Sequence, residues 1–295
     1  MSQPYKKVAD YFSSLESKLG YTFVLGGVKH FGYYPSGKSD ISEKKAQVLT
    51  QELLARKLHL LKRDNILDAG CGEGYVATFF AQKYGCRVTG ITITPFEVKK
   101  AKELAFKRNV EDTVRFYEMD YSKTNFANNT FDKIYTMESL VHAYDLEKTL
   151  KEFKRILKPN GRIAFFEYSM AEDKSINSFV DKQKRLPLEK LIKQYDWVIE
   201  KWAMFSLKKM RHGRFTKILK KEGFVKIHEK NIIRNMLPSL NRLYRLAKIP
   251  YFFIKLFNLQ HIFINATAAA EFFPYAVNYP EADLFRYNIT TAQKP

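Results

Sequence analysis

The chain has 295 residues, 45% of them hydrophobic, and a formal net charge of +19 at pH 7. This composition supports a large hydrophobic core, in one domain or in a domain with a cap. The two cysteines, Cys71 and Cys86, are too few for a disulfide framework and favour a reducing compartment. Because no secretion signal opens the sequence and no run of about eighteen apolar residues occurs, we expect a cytoplasmic protein without a spanning helix.

The positive charge is unevenly distributed along the chain. Residues 61–170 contain 18 basic and 15 acidic side chains, whereas residues 171–260 contain 21 and 8. The excess in the second range is compatible with a solvated, lysine-rich surface. It is equally compatible with attraction to an anionic substrate, an anionic membrane or nucleic acid.

The first sixty residues predict two helices separated by a loop. Residues 1–20 have the periodicity of an amphipathic helix, with apolar side chains along one face: Val8, Tyr11, Phe12, Leu15 and Leu19. Residues 21–38 are rich in glycine and aromatic residues and predict a loop. A second helix is expected to start at Ser42 and Glu43.

The middle of the chain alternates predicted strands with predicted helices, which is typical of a doubly wound, parallel α/β sheet. The predicted strands are 65–69, 87–92, 113–117, 132–136 and 162–167, and the predicted helices are 74–84, 96–108 and 146–157. A helix near 211–221, a strand near 224–229 and a last, antiparallel strand at 284–291 are expected to complete the sheet at its end.

We therefore divide the chain into five segments. They are N-terminal helices with an aromatic lid loop (1–60), a ligand-binding core (61–170), a helical insertion with a return to the sheet (171–231), an apolar and basic cap insertion (232–283) and the last strand (284–295).

The most informative stretch runs from Ile66 to Gly74, where an apolar strand ends in Asp68 and a glycine-rich turn. Alternating glycines allow the backbone to turn sharply and to approach a ligand closely. The stretch lacks the Gly-Lys-Ser/Thr of a phosphate-binding loop and the spacing of the dinucleotide fingerprint. An acid two residues before the first glycine, Gly70, suits a cationic, zwitterionic ligand.

This stretch resembles motif I of class I S-adenosylmethionine-dependent methyltransferases. The following Gly-Ile-Thr-Ile-Thr, residues 90–94, resembles the sterol and small-molecule C-methyltransferase branch, and the resemblance extends over about residues 20–170. It implies a Rossmann-like fold with a seven-stranded, mostly parallel sheet, an N-terminal helical lid and an α-helical cap insertion. It also implies S-adenosyl-L-methionine as cofactor and S-adenosyl-L-homocysteine as product.

The resemblance also implies which residues bind the cofactor. Thr92 stands where many relatives have an acid, so Glu97 is expected to take the ribose, unless it is only a first-turn acid of a helix. Asp120 is expected to accept from the adenine amino group, unless it caps a helix. The complete predicted set is Asp68, Gly70, Cys71, Gly72, Thr92, Ile93, Glu97, Asp120, Tyr121 and Met137.

Three residues near the ends of the fourth and fifth strands are predicted to serve catalysis. By resemblance, His142 and Glu167 converge on the methyl group, His142 removing a proton from the acceptor while Glu167 orients it. The alternative is that His142 caps a helix and Glu167 pairs with a lysine. Glu138 is a further candidate, because a carboxylate there would stabilise a cationic intermediate.

The acceptor site is predicted from the lid and the cap. Leu25 to Pro35 resembles the His-Phe-Gly-Tyr lid loop of the same branch, with His30, Tyr33 and Tyr34 as candidates, unless the loop merely packs on the core. The cap combines apolar side chains with Arg242 and Arg245, which would hold a phosphate or diphosphate head group.

We therefore expect methyl transfer to a small, lipophilic acceptor such as an isoprenoid, a sterol-like molecule or a prenyl diphosphate. Peripheral association with an anionic membrane is also expected, and a homodimer is left open. The alternatives are cyclopropane-type lipid modification, a nucleic-acid methyltransferase, which the absence of its motifs disfavours, and a non-catalytic binding protein. The six histidines show no ligand spacing, so no metal site is predicted.

Overall fold

The computed structural model describes residues 3–172 and 188–295. Its centre is a seven-stranded sheet in the order β3-β2-β1-β4-β5-β7-β6. Strands β1 to β5 are parallel, and β7 runs antiparallel to both β5 and β6. The strands are β1 (Asn65–Ala69), β2 (Arg87–Thr92), β3 (Val114–Glu118), β4 (Phe131–Met137), β5 (Leu157–Met170), β6 (Val225–Asn231) and β7 (Phe285–Gln293). The predicted doubly wound, Rossmann-like α/β fold is confirmed.

Two details of the sheet differ from the sequence prediction. Strand β5 begins at Leu157 rather than near residue 162, because Leu157 pairs with Phe131 across a register shift in β4. The last strand, β7, lies between β5 and β6 rather than at the end of the sheet. It pairs with β5 continuously over Arg162–Met170, whereas the edge strand β6 is mostly exposed.

The helices of the described residues follow the predicted alternation in the core. They are α1 (Gln3–Ser13), α2 (Leu15–Leu19), α3 (Glu43–Leu58), α4 (Tyr75–Tyr84), α5 (Pro95–Lys107), α6 (Leu146–Ile156), α7 (Leu188–Lys201), α8 (Arg214–Lys221), α9 (Ile233–Leu256), α10 (Ile264–Glu271) and α11 (Phe273–Asn278). None of these described helices is long and apolar enough to cross a membrane.

Helices cover both faces of the sheet. Helices α3, α4 and α5 contribute to one hydrophobic cluster, and α6 and α8 contribute to the other. Helix α6 shows why the helices pack on the sheet. Its apolar residues Leu146, Leu150 and Phe153 recur at helical spacing, so they lie on one face and are completely buried. Its N-terminus is satisfied by Asp145, whose carboxylate accepts from the backbone N–H of Lys148 at 3.0 Å.

The cap lies at the carboxyl ends of the parallel strands. The predicted N-terminal helix is divided at Ser14, whose hydroxyl accepts from the backbone N–H of Ser17 and starts α2. A single π-helical turn, Gly20–Val24, follows before the lid loop becomes irregular. The cap insertion is helical, formed by α9 to α11. In the predicted insertion at 171–231, residues 173–187 lie outside the described residues.

Candidate active site

A cavity of about 860 Å³ lies between the carboxyl ends of β1, β2 and β4 and the cap. Its walls are largely apolar and come from α1, the lid loop, the glycine-rich turn and α9. Among the described residues, Lys29 is the only lysine or arginine that lines it. Six acidic residues line it as well: Glu16, Asp68, Glu73, Glu97, Asp120 and Glu138. The cavity therefore combines an apolar interior with an excess of carboxyl groups.

The glycine-rich turn after β1 packs directly against the turn after β4. Gly70 has φ of +93°, and a Cβ there would lie 2.5 Å from the Oγ of Ser139. That Oγ donates to the carbonyl of Ala69 at 2.6 Å, which links the two turns. Because only glycine permits both this φ and this approach, the turn brings backbone rather than side chain to the cavity wall.

Asp68, the last polar residue of β1, has an unsatisfied acceptor. The residue is 3% exposed, and its Oδ2 has no hydrogen-bond partner among the described residues. Burial raises the pKa of this carboxyl to about 7. A buried, unpaired carboxylate oxygen beside a cavity fits a ligand that carries an ammonium group.

Glu97 lies in the first turn of α5 but is buried, with 3% of the residue exposed. Its Oε2 accepts from the Oγ1 of Thr92 at 2.6 Å, and its Oε1 accepts from the Nζ of Lys29 at 2.5 Å. A buried carboxylate with two donors is not an ordinary surface acid of a helix terminus. Thr92, Ile93 and Glu97 line the same cavity, as the sequence pattern predicts for a ribose site.

Asp120 and Tyr121 follow β3 and line the cavity. The carboxylate of Asp120 accepts from the backbone N–H and the hydroxyl of Ser122 at 2.7 and 2.8 Å, so it caps a turn and not a helix. The hydroxyl of Tyr121 donates to the carbonyl of Ser139 at 3.0 Å. Both residues line the cavity together with Met137, where the sequence pattern predicts an adenine-like group.

Glu138, at the end of β4, is held by three donors. Its Oε1 accepts from the backbone N–H of Phe31 and from the hydroxyl of Tyr287, both at 2.9 Å. Its Oε2 accepts from the hydroxyl of Tyr168. Burial raises the pKa of this carboxyl to about 8, although the three donors act in the opposite direction. A group with this pKa is ionised in part at neutral pH and can accept a proton from a ligand.

The predicted pair of His142 and Glu167 is not formed. Glu167 does not line the cavity; its Oε1 accepts from the backbone N–H groups of Ser139 and Leu140 at 3.2 and 2.9 Å. These donors hold the Oε1 within the turn, whereas the buried Oε2 has no hydrogen-bond partner among the described residues. Within that part of the chain, Glu167 forms neither a hydrogen bond with His142 nor an ion pair with a lysine. Glu167 instead fixes the turn that presents Glu138 and His142.

His142 lines the cavity with a neutral imidazole. Its Nδ1 lies 3.2 Å from the carbonyl of Ala203, which can only accept, so Nδ1 carries the proton and Nε2 is an acceptor. The ring packs edge-on against Phe12 at 5.2 Å and stacks with Tyr11 at 6.4 Å. Burial lowers the pKa of His142 to about 4, so the side chain is uncharged at neutral pH.

Comparisons with known proteins identify the family of this chain. A family model described as a methyltransferase domain matches residues 67–165. The S-adenosyl-L-methionine-dependent Diels-Alderase of Talaromyces variabilis is 32% identical over 293 residues, which cover 98% of this chain and 95% of that protein. The chain belongs to the S-adenosylmethionine-dependent methyltransferases.

Two further matches show how far the similarity in sequence and in fold extends. Sterol 24-C-methyltransferase of Saccharomyces cerevisiae is 35% identical over 153 residues, 52% of this chain and 39% of that protein. The structure of a cyclopropane synthase of Mycobacterium tuberculosis superposes with a TM-score of 0.78 at 15% identity, covering 98% of both chains. The match to the sterol methyltransferase covers about half of this chain, whereas the match to the Diels-Alderase covers nearly all of it.

S-adenosyl-L-methionine is the cofactor of this methyltransferase, and the described residues fit it. The free Oδ2 of Asp68 suits the ammonium of its amino-acid end, and Glu97 suits the ribose hydroxyls. Gly72 leaves a stretch of wall without a side chain. Among the described residues, no group of three or more metal-ligating side chains occurs.

The structure does not bring every predicted acceptor residue to the cavity. His30 lines it, with Nδ1 3.0 Å from the carbonyl of Phe31. Tyr33 and Tyr34 do not, and the hydroxyl of Tyr34 donates to Glu43 of α3, so this part of the loop packs on the core. Arg242 and Arg245 lie on α9 outside the cavity lining, which corrects their assignment to a head-group site.

Four side chains that shape the site were not predicted from the sequence. Tyr168 and Tyr287 are direct partners across β5 and β7, and they meet at Glu138 only because of that register. Phe12 reaches His142 from α1, and Lys29 reaches Glu97 from the lid loop. Of these four, only Lys29 could have been suspected from the sequence, because it is a single basic residue directly before the His-Phe-Gly-Tyr motif of the lid loop.

Proposed function

We propose that this methyltransferase transfers a methyl group to a neutral, lipophilic acceptor bound in the cavity. The supporting observation is Glu138, a carboxyl with a raised pKa held by two tyrosines at the wall of a mostly apolar cavity beside the cofactor motif. Apolar walls favour a lipophilic molecule. With Arg242 and Arg245 outside the lining, the proposal requires no phosphate or diphosphate on the acceptor.

The cofactor supplies an electrophilic methyl group; its bond to sulfur breaks as a bond to the acceptor forms, and the acceptor then loses a proton. We assign proton acceptance to Glu138, whose pKa of about 8 suits a base at neutral to mildly alkaline pH. Tyr168 and Tyr287 hold the carboxylate in place. The Nε2 of His142 accepts a hydrogen bond that orients the acceptor.

The test is incubation of the protein with S-adenosylmethionine and a panel of prenyl alcohols, sterols and linear conjugated polyenes, each followed by mass spectrometry. A product heavier by one CH₂, formed in equal amount with S-adenosylhomocysteine, supports the proposal. The Glu138→Gln variant should form this product about 100-fold more slowly. Glu118→Gln, which changes an exposed acid at the end of β3, should leave the rate unchanged. Preference for a prenyl diphosphate over the matching alcohol would contradict the neutral acceptor.

A second candidate function is cyclisation of a polyene, which the match to the Diels-Alderase over 98% of the chain favours. In that reaction the acceptor would fold in the same cavity and no methyl group would be transferred. The two functions differ in product mass, because cyclisation yields an isomer of the substrate. An isomeric product that forms without release of S-adenosylhomocysteine would replace the methyl-transfer proposal.

We also propose that this methyltransferase attaches to anionic membranes through the rim of the cavity. Leu15, Leu19 and Phe23 on one side and Ile249 and Phe257 on the other are 46–79% exposed. Leu19, Phe23 and Phe257 also line the cavity, so a bound acceptor would enter through this apolar rim. Residues 231–270 contain no acidic side chain, and exposed Lys248 and Lys255 adjoin the rim, which suits an anionic surface.

The membrane proposal is tested by co-sedimentation with phosphatidylserine-containing vesicles at about 50 mM salt, where electrostatic attraction is little screened. Ser substitutions at Ile249 and Phe257 should reduce binding strongly. Phe106→Ser is a matched control, because Phe106 is 71% exposed on α5 and does not line the cavity. The proposal would be overturned if the rim variants and Phe106→Ser lost vesicle binding equally, or if the unmodified protein did not bind.

A further inference from the structure

The side chain of Lys29 occupies a cage at the cofactor end of the cavity. Its Nζ lies 2.5 Å from the Oε1 of Glu97 and 3.6 Å from the Oε1 of Glu73. The rings of Phe12, Tyr21 and Phe96 surround it, with centroids 5.1–5.5 Å away. Only 14% of the side chain is exposed.

This cage joins the lid to the cofactor site. Phe12 comes from α1, Tyr21 from the π-helical turn and Lys29 from the lid loop, whereas Glu73 belongs to the glycine-rich turn. A Cβ placed on Gly72 would lie 3.4 Å from the Cδ of Lys29, so the lysine stem crosses the glycine-rich turn itself. The ammonium is therefore held next to the two elements that are expected to contact the amino-acid end and the ribose.

Among the charged side chains that line the described part of the cavity, only Lys29 can attract the carboxylate of a ligand. S-adenosylmethionine carries an ammonium and a carboxylate at its amino-acid end. Asp68 offers a free acceptor to the ammonium, but the other acids of the lining would repel the carboxylate. Lys29 is the only lysine or arginine in the described part of the lining, and it is close to Gly72.

We propose that Lys29 is a cofactor-binding residue that exchanges Glu97 for the cofactor's carboxylate when the cofactor binds. In the structure Lys29 neutralises Glu97 and ties the lid to it. The exchange frees the Oε1 of Glu97 to accept from a ribose hydroxyl. It also gives the cofactor's carboxylate a charged donor, the ammonium of Lys29. Lys29 thereby couples two events: recognition of the cofactor's carboxylate and release of the Glu97 oxygen that accepts from the ribose.

The test compares two ligands that differ only in the carboxylate, S-adenosylhomocysteine and its decarboxylated analogue, by isothermal titration calorimetry. The unmodified protein should bind S-adenosylhomocysteine at least tenfold more tightly than the analogue. The Lys29→Met variant should lose this preference, binding both ligands with similar affinity. Lys29→Arg keeps the charge and should keep most of the preference.

Lys18→Met is the matched control. Lys18 also lies over the ring of Phe96, at 4.5 Å, but it is exposed and does not line the cavity. Its variant should retain the full preference for the carboxylate. Because both ligands are measured on the same protein, a partly unfolded sample weakens both affinities alike and leaves their ratio unchanged.

Two results would overturn the proposal: equal affinity of the unmodified protein for both ligands, or an unchanged preference in Lys29→Met. The first result needs no variant and therefore holds even if Lys29→Met does not fold. The inference rests on the cofactor and not on the proposed acceptor chemistry, so failure to find a methylated product does not affect it.

Discussion

At the scale of single residues, Glu138 combines the most unusual set of contacts in the site. It has a left-handed backbone, with φ of +55°, and its carboxylate meets donors from the lid loop, β5 and β7. The strained backbone directs the side chain into the cavity rather than along the strand, as often occurs at functional sites. Its charge state is therefore expected to govern activity.

We predict that kcat/KM rises with pH through an ionisation near the pKa of Glu138, about 8 in the free protein. Tyr168→Phe removes a donor that stabilises the carboxylate, so it should move this midpoint to higher pH. Glu138→Gln should remove the ionisation and lower kcat about 100-fold. Rate profiles over pH with each variant check this, and an unchanged midpoint in Tyr168→Phe would show that Glu138 is not the titrating group.

A substitution at Gly70 measures how strongly the turn after β1 requires glycine. Gly70→Ala should destabilise the protein by about 2–4 kcal/mol, because the alanine meets both an unfavourable φ and a close contact with Ser139. Gly213→Ala is the control: its φ is +70°, with nothing within 4 Å of the added Cβ, so only about 1 kcal/mol of backbone strain is expected. Denaturant unfolding measures both. Equal losses would mean that the contact with Ser139 relaxes freely.

At the scale of elements, the lid is tied to the cap as well as to the cofactor site. The carboxylate of Glu16, on α2, accepts from the backbone N–H groups of Asn265 and Ala266 at the start of α10, both at 3.0 Å. The hydroxyl of Tyr11 donates to the Oδ1 of Asn265 at 2.8 Å. The first backbone N–H groups of a helix have no partner within that helix, so they need acceptors from elsewhere. Because Glu16 supplies these acceptors for α10, it fixes the position of α2 against the cap.

Glu16→Ala should therefore loosen the closed lid by about 1–2 kcal/mol. Hydrogen exchange at the amides of Asn265 and Ala266 should accelerate, and the acceptor KM should rise more than the cofactor Kd. Asp10→Ala is the control on α1, since Asp10 is well exposed and pairs only with Lys6 within one helix. Similar exchange rates in both variants would mean that Glu16 does not hold the lid.

At the scale of the whole molecule, buried carboxyl groups make stability depend on pH. Burial raises the pKa values of Asp68 and Glu167 to about 7 and that of Glu138 to about 8. The folded protein thus binds protons more tightly than the unfolded chain at these sites, and stability falls as pH rises towards 8. The buried His142 and His30 act oppositely, but only below the unfolded pKa of about 6.5.

Between about pH 6.5 and 8.5 the raised pKa values of these carboxyl groups make the unfolded chain release protons before the folded protein does, and the raised pKa values of the buried Cys71 and Cys86 act in the same direction. We therefore predict that the unfolding midpoint in urea falls over this window. Glu138→Gln should reduce the fall, because it removes the group with the highest of the three pKa values. The comparison is made without cofactor, at constant ionic strength. A midpoint that is constant or rises over the window would show that these carboxyl groups are ionised in the folded protein.

The sequence by itself determined the alternating α/β core, the cofactor motif and the class of enzyme. These depend on local patterns: apolar strands, helical periodicity and a turn that needs glycine at Gly70. The resemblance to the methyltransferase family implied Glu97 and Asp120 as binding residues, and both line the cavity.

Only the tertiary structure decided how the acceptor site is assembled. The pair of Tyr168 and Tyr287 depends on the register between β5 and β7, which are separated by the whole cap. Glu167 was predicted to serve catalysis, but nearby backbone N–H groups bind its Oε1 within the turn, and it does not line the cavity. Lys29 finds Glu97 across 68 residues of chain. Such contacts join distant segments whose positions follow from packing, which no local pattern of residues encodes.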